Sequence, residues 1–264
     1  MLRGTLDRLA IMMRLALEKR VFIVLCSVIL LISALAIFAN MWSSNKIITS
    51  LAISGNIVIP ELEIISTIHT PIINTTKNQI SLQQIRRDVL HHPYVQSVAV
   101  EGSHSNQINI EIKERKPLAI IVGPDGSLVY YDENAVALPY RLSEKFHDMP
   151  LLRGVFVNGK IDTVCLLCGI KIIKELSKET YRTLYSITSE VIYQQDQKLF
   201  YLMTADAGVK IMLGETGNLD DKLDLLLAYW KEKGQKAKTA NSEYIDLRWK
   251  DQLVVRDYNQ GKTE

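Results

Sequence analysis

The sequence predicts an α+β protein with an N-terminal transmembrane helix, a small βααββ domain and a larger, mostly antiparallel β domain with flanking helices. Three observations lead to this prediction: a long uncharged apolar run near the N-terminus, an ordered set of strand-like and helix-like patterns after it, and then a series of short alternating runs separated by turn residues. With 264 residues, the chain has room for two domains beside the helix.

The apolar run predicts a membrane helix. Residues 21–45 carry no charged side chain, and the apolar part ends at Trp42. As a helix, residues 21–42 would extend about 33 Å, which is enough to cross the hydrocarbon core of a bilayer. A cleaved signal peptide is the alternative, because Ala34-Leu35-Ala36 has the form of a cleavage site. We favour an uncleaved anchor, since the basic segment is long and the apolar run continues beyond Ala36.

The charges around this run predict its orientation. Residues 1–20 form a basic tail with five basic and two acidic side chains, whereas only Lys46 closely follows the run. The positive-inside rule therefore predicts a cytoplasmic N-terminus and periplasmic domains after Trp42. The formal net charge of the whole chain is only +2, and the part after the tail is close to neutral. A neutral body does not indicate nucleic-acid binding.

Residues 46–115 show the pattern of a small domain. A first strand, "IITSLAIS", ends at Gly55-Asn56, and Pro60 can occupy the first turn of a helix in which Leu62 and Ile65 share the apolar face. Ser81 and Gln84 have the spacing of a capping box at the start of a second helix. Two strands with alternating apolar residues follow, joined by a loop over 102–107.

Residues 116–258 show the pattern of a second, larger domain. Turn residues at Gly123–Gly126 predict a hairpin, and the apolar period predicts a helix over Thr163–Leu176. Asn218 can cap a later helix whose apolar face includes Trp230. The remaining predicted strands are Tyr185–Ile192, Lys198–Thr204, Val209–Leu213 and a closing strand over Ser242–Arg256, with a short tail at 259–264.

Several short motifs, in order along the chain, resemble the FtsQ/DivIB family of bacterial cell-division proteins. The matching residues are Ile53, Gly55 and Asn56, "HPYV" at 92–95, "INIEIKERKP" at 108–117, "MPLLRG" at 149–154, Leu213-Gly214 and "YIDLR" at 244–248. The βααββ domain then resembles a POTRA domain, the extracytoplasmic module of that family. Two positions depart from the family pattern: His104-Ser105 stands where an aromatic-proline pair is usual, and Ala135 stands where a glycine is usual.

The resemblance implies a non-enzymatic scaffold with a single membrane span. Such a protein lies in the cell inner membrane at the division septum, binds other division proteins such as FtsB/FtsL-like bitopic partners, and connects them to septal peptidoglycan synthesis. Its N-terminal helix contacts membrane lipid, and no nucleic acid or small-molecule substrate is implied. The alternative is an exported POTRA-type protein that assists outer-membrane protein assembly or transport.

Cysteine and histidine patterns give little support for an enzyme or a metal site. Cys165 and Cys168 have C-x-x-C spacing, but no further pair completes four zinc ligands, and both fall on the apolar face of the predicted helix. We therefore interpret them as small buried thiols. His91 and His92 are adjacent and point in different directions, with no carboxylate cluster beside them. No catalytic residue, cofactor or metal is predicted.

Two partner surfaces are predicted. In the small domain, the first strand leaves an edge suited to an added segment, with Ser50 and Ser54 as the recruitment surface. In the large domain, the terminal strand "EYIDLRWKDQLVV" is predicted to be the sheet edge, with Trp249 as its anchor. The alternative is that Trp249 caps the domain core and that Lys250 and Asp251 shield the edge. The resemblance implies that this region binds the FtsB/FtsL-like pair. The predicted contact residues are Tyr244, Asp246, Arg248, Trp249, Gln252 and Val254, flanked by Trp230.

Overall fold

The computed structural model describes residues 25–38, 46–103, 105–142, 149–205, 208–233 and 242–257. The basic tail at 1–20, the lysine-rich segment at 234–241 and the tail at 259–264 lie outside these ranges. The chain folds as two compact units. The first comprises residues up to Ser54 together with Leu62–Val89 and Val98–Ile112, and the second comprises Gly55–Glu61, Leu90–Ser97 and the residues from Lys113 onward.

The first described element is helix α1, over residues 25–38, whose large apolar side chains are exposed. Within the described residues, no helix reaches the length and hydropathy needed to span a bilayer. The first and last residues of the predicted span, 21–24 and 39–42, lie outside the described part of the chain.

The predicted strand–helix–helix–strand–strand order of the small domain is confirmed. Its three strands form one sheet in the order β1-β3-β2, and β1 pairs in parallel with β3. Isoleucines and valines that alternate along the strands form the buried layer, among them Ile108, Ile110 and Ile112. The elements are β1 (Ser50–Ser54), α2 (Glu61–Thr67), a 3₁₀ turn (Lys77–Gln79), α3 (Leu82–Leu90), β2 (Val95–Gly102) and β3 (Gln107–Glu114).

Each of the two helices of this domain differs from the prediction in one respect. In α3 half of the predicted capping box is present: the backbone N–H of Gln84 donates to the Ser81 hydroxyl at 3.3 Å, whereas the Gln84 side chain bonds Arg87 and Asp88. In α2 the predicted apolar face is wrong. Ile64 is the buried residue, whereas Leu62 is 79% exposed and Ile65 42% exposed. A helix of seven residues makes only two turns, so a single buried side chain is enough to fix which face it turns inward.

The second unit is built on a nine-stranded sheet in the order β14-β13-β12-β11-β10-β7-β4-β5-β6. Five neighbouring pairs are antiparallel and three are parallel, which confirms a mostly antiparallel sheet. Its strands are β4 (Pro117–Val122), β5 (Leu128–Asp132), β6 (Ala137–Pro139), β7 (Leu151–Arg153), β10 (Thr188–Gln194), β11 (Leu199–Thr204), β12 (Lys210–Gly214), β13 (Ser242–Asp246) and β14 (Val254–Asp257), and a separate hairpin holds β8 (Phe156–Val157) and β9 (Lys160–Ile161).

Three helices accompany this sheet: α4 (Thr163–Leu176), α5 (Arg182–Ile187) and α6 (Leu219–Lys233). Helix α4 has the predicted bounds, and Asp162 caps it by accepting the backbone N–H groups of Val164 and Cys165. Residues 185–187 were predicted as strand but belong to α5, so β10 begins only at Thr188. The core is formed by the apolar faces of the sheet, α4 and α6.

A steric constraint explains the glycine of the "MPLLRG" motif. Gly154 has a φ of +80°, and a Cβ there would lie 1.9 Å from the carbonyl oxygen of Tyr193. Any side chain would have to displace the backbone of β10. The motif contains β7, and Gly154 directly follows this strand. Strand β7 lies between β4 and β10 and pairs in parallel with both.

The Glu-Arg pair of the "IEIKERKP" motif has a structural role within the second unit. The Glu114 carboxylate accepts the backbone N–H groups of Ile57, Val58 and Ile59 at 2.8–3.0 Å. The next residue, Arg115, donates to buried Asp132 at 2.8 Å. Adjacent residues of one motif therefore hold a loop and a turn in place.

Ala135 provides a test of the departure from the family pattern. It has a φ of +58° in the turn after Asp132, where an alanine costs about 1–2 kcal/mol that a glycine avoids. Because glycine loses more backbone entropy on folding, we expect Ala135→Gly to raise the free energy of unfolding by only about 0.5–1 kcal/mol. Ala137→Gly, at an exposed strand position, is the control and should lower it. Chemical denaturation measures both free energies of unfolding. A lower free energy of unfolding for Ala135→Gly would show that the positive φ of Ala135 does not strain the backbone.

Candidate functional site

The candidate site lies at the β14 end of the nine-stranded sheet. The predicted single terminal strand is wrong: residues 242–257 form two antiparallel strands, β13 and β14, joined by a loop over 247–253. Strand β13 lies inside the sheet, parallel to β12, and β14 is the outermost strand among the described residues. Apolar residues resume at 253–255, where the loop ends and β14 begins, and the sequence pattern therefore predicted a single strand.

The loop between these strands is held by a buried carboxylate. Asp246 is 4% exposed. It accepts the backbone N–H of Arg248 at 3.0 Å, and the Arg248 guanidinium donates to its two oxygens at 2.9 and 2.7 Å. These hydrogen bonds from Arg248 hold the pKa of Asp246 below its usual range. The pair therefore stabilises the loop at neutral pH, and this stabilisation is lost as the pH falls through the lowered pKa of Asp246.

Trp249 follows this pair and is exposed. Its side chain is 61% accessible, so the alternative that Trp249 caps the domain core is wrong. Nearby lies an open cleft of about 980 Å³. Its walls come from the β10–β11 turn at Gln197–Leu199, the start of α6 with Asp221 and Leu225, and the loop at Leu247–Asp251. An exposed tryptophan beside a cleft is a common feature of protein-binding surfaces.

The other predicted contact residues differ in how exposed they are and in whether they lie near the cleft. Val254 is 43% exposed and begins the edge strand, and Gln252 is exposed at the end of the loop. Tyr244 is half-buried, with the guanidinium carbon of Arg256 on β14 6.0 Å from its ring centroid. Trp230 is half-buried against the core and does not line the cleft. Asp246 is buried and acts on this surface only through its hydrogen bonds with Arg248.

The sequence reasoning missed the residues that complete the cleft. They come from three segments far apart in the chain, among them Lys198, Asn218 and Asp221. Lys198 and Asn218 have φ values of +54° and +49°, so both lie in tight turns. An isolated turn residue carries no sequence signal that it will meet the loop at 247–251.

Ser50 and Ser54 lie on the open side of the small sheet. Both are exposed at the two ends of β1, which pairs with β3 on one side and has no strand on its other side among the described residues. The predicted edge is thus present, although it is shorter than the eight residues of "IITSLAIS".

The two cysteines of α4 are free thiols. Cys165 is buried, as predicted, whereas Cys168 is only half-buried against the core. Burial raises the pKa of the Cys165 thiol, which keeps it protonated and unreactive near neutral pH. Cys26, also free, is exposed on α1. In the ranges that the structure describes, no three histidine, cysteine or acidic side chains are grouped as a metal site would need.

Comparison with known proteins gives the family. The FtsQ-type POTRA domain matches residues 47–115, and the family described as FtsQ/DivIB, C-terminal related, matches residues 116–255. A cell division protein FtsQ from Geotalea daltonii is 28% identical over 187 residues, which cover 67% of this chain and 64% of that protein. FtsQ from Koribacter versatilis is 22% identical over 67% of this chain and 50% of its own length.

A third relative matches over a longer stretch. FtsQ from Salinibacter ruber is 24% identical over 232 residues, which cover 84% of this chain and 87% of that protein. The chain thus spans between half and two thirds of the Geotalea and Koribacter relatives, and most of the Salinibacter one. The ordered motifs, the βααββ domain and the two matches agree: the chain belongs to the FtsQ/DivIB family of cell-division proteins.

Proposed function

We propose that this protein is a non-enzymatic, bitopic scaffold of the division apparatus, and that partners bind by adding a strand to β14. Residues 21–42 are the membrane anchor, with residues 1–20 in the cytoplasm and the domains at 46–115 and 116–258 in the periplasm at the septum. The partners are FtsB/FtsL-like bitopic proteins, which the scaffold connects to septal peptidoglycan synthesis. The observation that carries the proposal is the edge of β14, which pairs with no further strand within the described ranges, beside exposed Trp249.

Strand addition suits this edge for three reasons. An edge strand presents backbone N–H and C=O groups that a second extended chain can pair with. The exposed side chain of Val254 stands at the start of that edge and can contact the added strand. Trp249 and the cleft lie next to it, where an aromatic anchor can become fully desolvated in a complex.

The surroundings favour a protein partner over a small molecule. The cleft is open, and its walls carry both signs of charge, since Lys198, Lys222, Arg248 and Lys250 line it together with a set of carboxylates. Such a mixed polar rim around an aromatic side chain is typical of protein interfaces. The carboxylates are Glu215, Asp221, Asp224 and Asp251.

The small domain supplies a second proposed surface. The side of β1 that no described strand occupies, between Ser50 and Ser54, can accept an extended segment of another division protein, again by strand addition. In this proposal the small domain recruits the protein to the septum, and β14 binds the bitopic partners.

Depletion of the protein tests the proposed role. We expect depleted cells to grow as undivided filaments, and the full chain to restore division. A chain in which an unrelated membrane helix replaces residues 21–42 should also restore division, because the proposed anchor acts only as a tether. A chain that lacks residues 1–45 should not. Normal division after depletion, or full rescue by the chain without an anchor, would overturn the proposal.

A further inference from the structure

Two isoleucines are exposed near the start of the small domain. Ile47 is 50% exposed and Ile73 is 47% exposed. Their neighbours in sequence, Ile48 and Ile72, are 1% and 7% exposed. In each segment one isoleucine is buried in the domain, and its neighbour in sequence is exposed to solvent.

Backbone hydrogen bonds bring the two segments together. The N–H of Ile48 donates to the carbonyl of Thr75 at 2.9 Å, and the N–H of Asn74 donates to the carbonyl of Ile48 at 3.0 Å. A third bond runs from the N–H of Lys77 to the carbonyl of Lys46 at 2.9 Å. Residues 46–48 and 74–77 are therefore a short ladder, which we call the entry ladder.

Ile73 lies at the corner of a tight turn beside this ladder. The N–H of Thr75 donates to the carbonyl of Ile72 at 3.3 Å, and Asn74 has a φ of +63°. Exposed turn corners are normally glycine, proline or polar. Ile73 keeps about half of its surface in solvent, and this apolar surface is available to something outside the domain.

The sequence around the entry ladder is basic. Residues 46–60 and 70–87 contain no aspartate or glutamate, and their charged residues are Lys46, Lys77, Arg86 and Arg87. Lys46 is exposed and directly precedes Ile47. Apolar side chains next to basic ones are the pattern of a surface that lies on an anionic bilayer.

We propose that the entry ladder lies on the outer face of the membrane, with Ile47 and Ile73 in the interfacial region of an anionic bilayer and Lys46 against its lipid phosphates. This inference rests on the proposed anchor at residues 21–42. Ile47 lies five positions after Trp42, and even a fully extended chain spans at most about 18 Å over that distance. Ile47 therefore cannot lie far from the headgroups, which extend several ångströms beyond the hydrocarbon core.

The contact would also orient the first unit. Strand β1 begins two residues after the ladder and runs from Ser50 to Ser54, over about 15 Å. With the ladder on the bilayer, Ser50 at the near end of this edge lies close to the headgroups, and the Ser54 end lies no further from Ser50 than the length of the strand. The proposed recruitment edge is then presented to other proteins at a fixed height.

Tryptophan substitution in the full-length protein tests this contact. Ile73→Trp and Ile47→Trp are prepared in vesicles of phosphatidylethanolamine and phosphatidylglycerol whose acyl chains are brominated, since bromine quenches tryptophan near the chains. Leu62→Trp is the matched control, because Leu62 is 79% exposed and belongs to α2 rather than to the entry ladder. The fluorescence of the wild type, which has three tryptophans, is subtracted from each.

We expect the fluorescence added at positions 47 and 73 to be largely lost in brominated vesicles and the fluorescence added at position 62 to remain. Equal quenching at the three positions, or none at 47 and 73, in a chain that stays in the vesicles after alkaline carbonate washing would overturn the contact and leave the anchor standing. A chain that is washed off would contradict the anchor itself, and the contact with it.

Discussion

Asp132→Ala is expected to lower the free energy of unfolding by about 3 kcal/mol, because it leaves a guanidinium and two backbone N–H groups without their acceptor. Asp132 is 2% exposed. One carboxylate oxygen accepts from the Arg115 guanidinium at 2.8 Å, and the other accepts the backbone N–H groups of Asn134 and Val136 at 2.9 and 2.8 Å. Arg115 retains some contact with water, so the loss falls at the lower end of the range for broken buried pairs.

Two further variants identify the cause of that loss. Asp132→Asn keeps an acceptor for the turn but removes the charge opposite Arg115, so it should be destabilised less than Asp132→Ala. Asp125→Ala removes an aspartate that also accepts hydrogen bonds in a turn, from Ser127, but is exposed. It should change the urea midpoint very little. Similar midpoints for Asp125→Ala and Asp132→Ala would show that burial of the Arg115–Asp132 pair is not what matters.

Trp249→Ala is expected to weaken binding of the FtsB/FtsL-like pair by about 2 kcal/mol or more, as for a tryptophan at the centre of an interface. The melting temperature of the free protein should stay the same, because Trp249 is 61% exposed and its removal leaves no cavity. Calorimetric titration of the purified protein with the pair measures the first effect, and thermal unfolding measures the second.

Val157→Ala is the control for Trp249→Ala. Val157 is also an exposed apolar residue of the second unit, at 41%, but it lies in the β8–β9 hairpin and does not line the cleft. Its replacement should leave both binding and melting unchanged. If Trp249→Ala binds as the wild type does, the tryptophan is a solvent-exposed loop residue and the proposed anchor is wrong.

The sequence predicts the elements that have a strong period and a clear cap. Helix α4 was predicted with its observed bounds, because its apolar residues recur at helical spacing over fourteen positions. The strand β7, with three residues, is too short to show any period. Its position was marked only by the "MPLLRG" motif, whose final glycine is required by the close approach of Tyr193.

Predictions failed where the tertiary structure overrides a local pattern. Residues 185–187 have a strand-like composition but form the end of α5, since Leu184 in that helix packs into the core. The terminal segment was read as one strand because apolar residues resume after the loop. Asp251, with a φ of +55°, lies at the reversal, but a single aspartate between two apolar segments does not by itself predict that the chain turns back.

The candidate site was predicted only in part for the same reason. Trp249 was identified because an aromatic residue stands near the end of a predicted edge. The role of Asp246 was not identified, because its burial depends on the strand β14 beside it and on the guanidinium of Arg248. The cleft could not be predicted, since its walls meet only in the folded protein.

Site-specific photocrosslinking in dividing cells tests the central claim most directly. A photoreactive amino acid at Val254, on the edge strand, is compared with one at Val122, which is similarly exposed, at 38%, near the β4–β5 turn. Strand addition to β14 predicts that position 254 gives covalent adducts with the FtsB/FtsL-like proteins and that position 122 does not. Adducts with these proteins from position 122 alone, or from neither position in cells that divide normally, would contradict binding at β14.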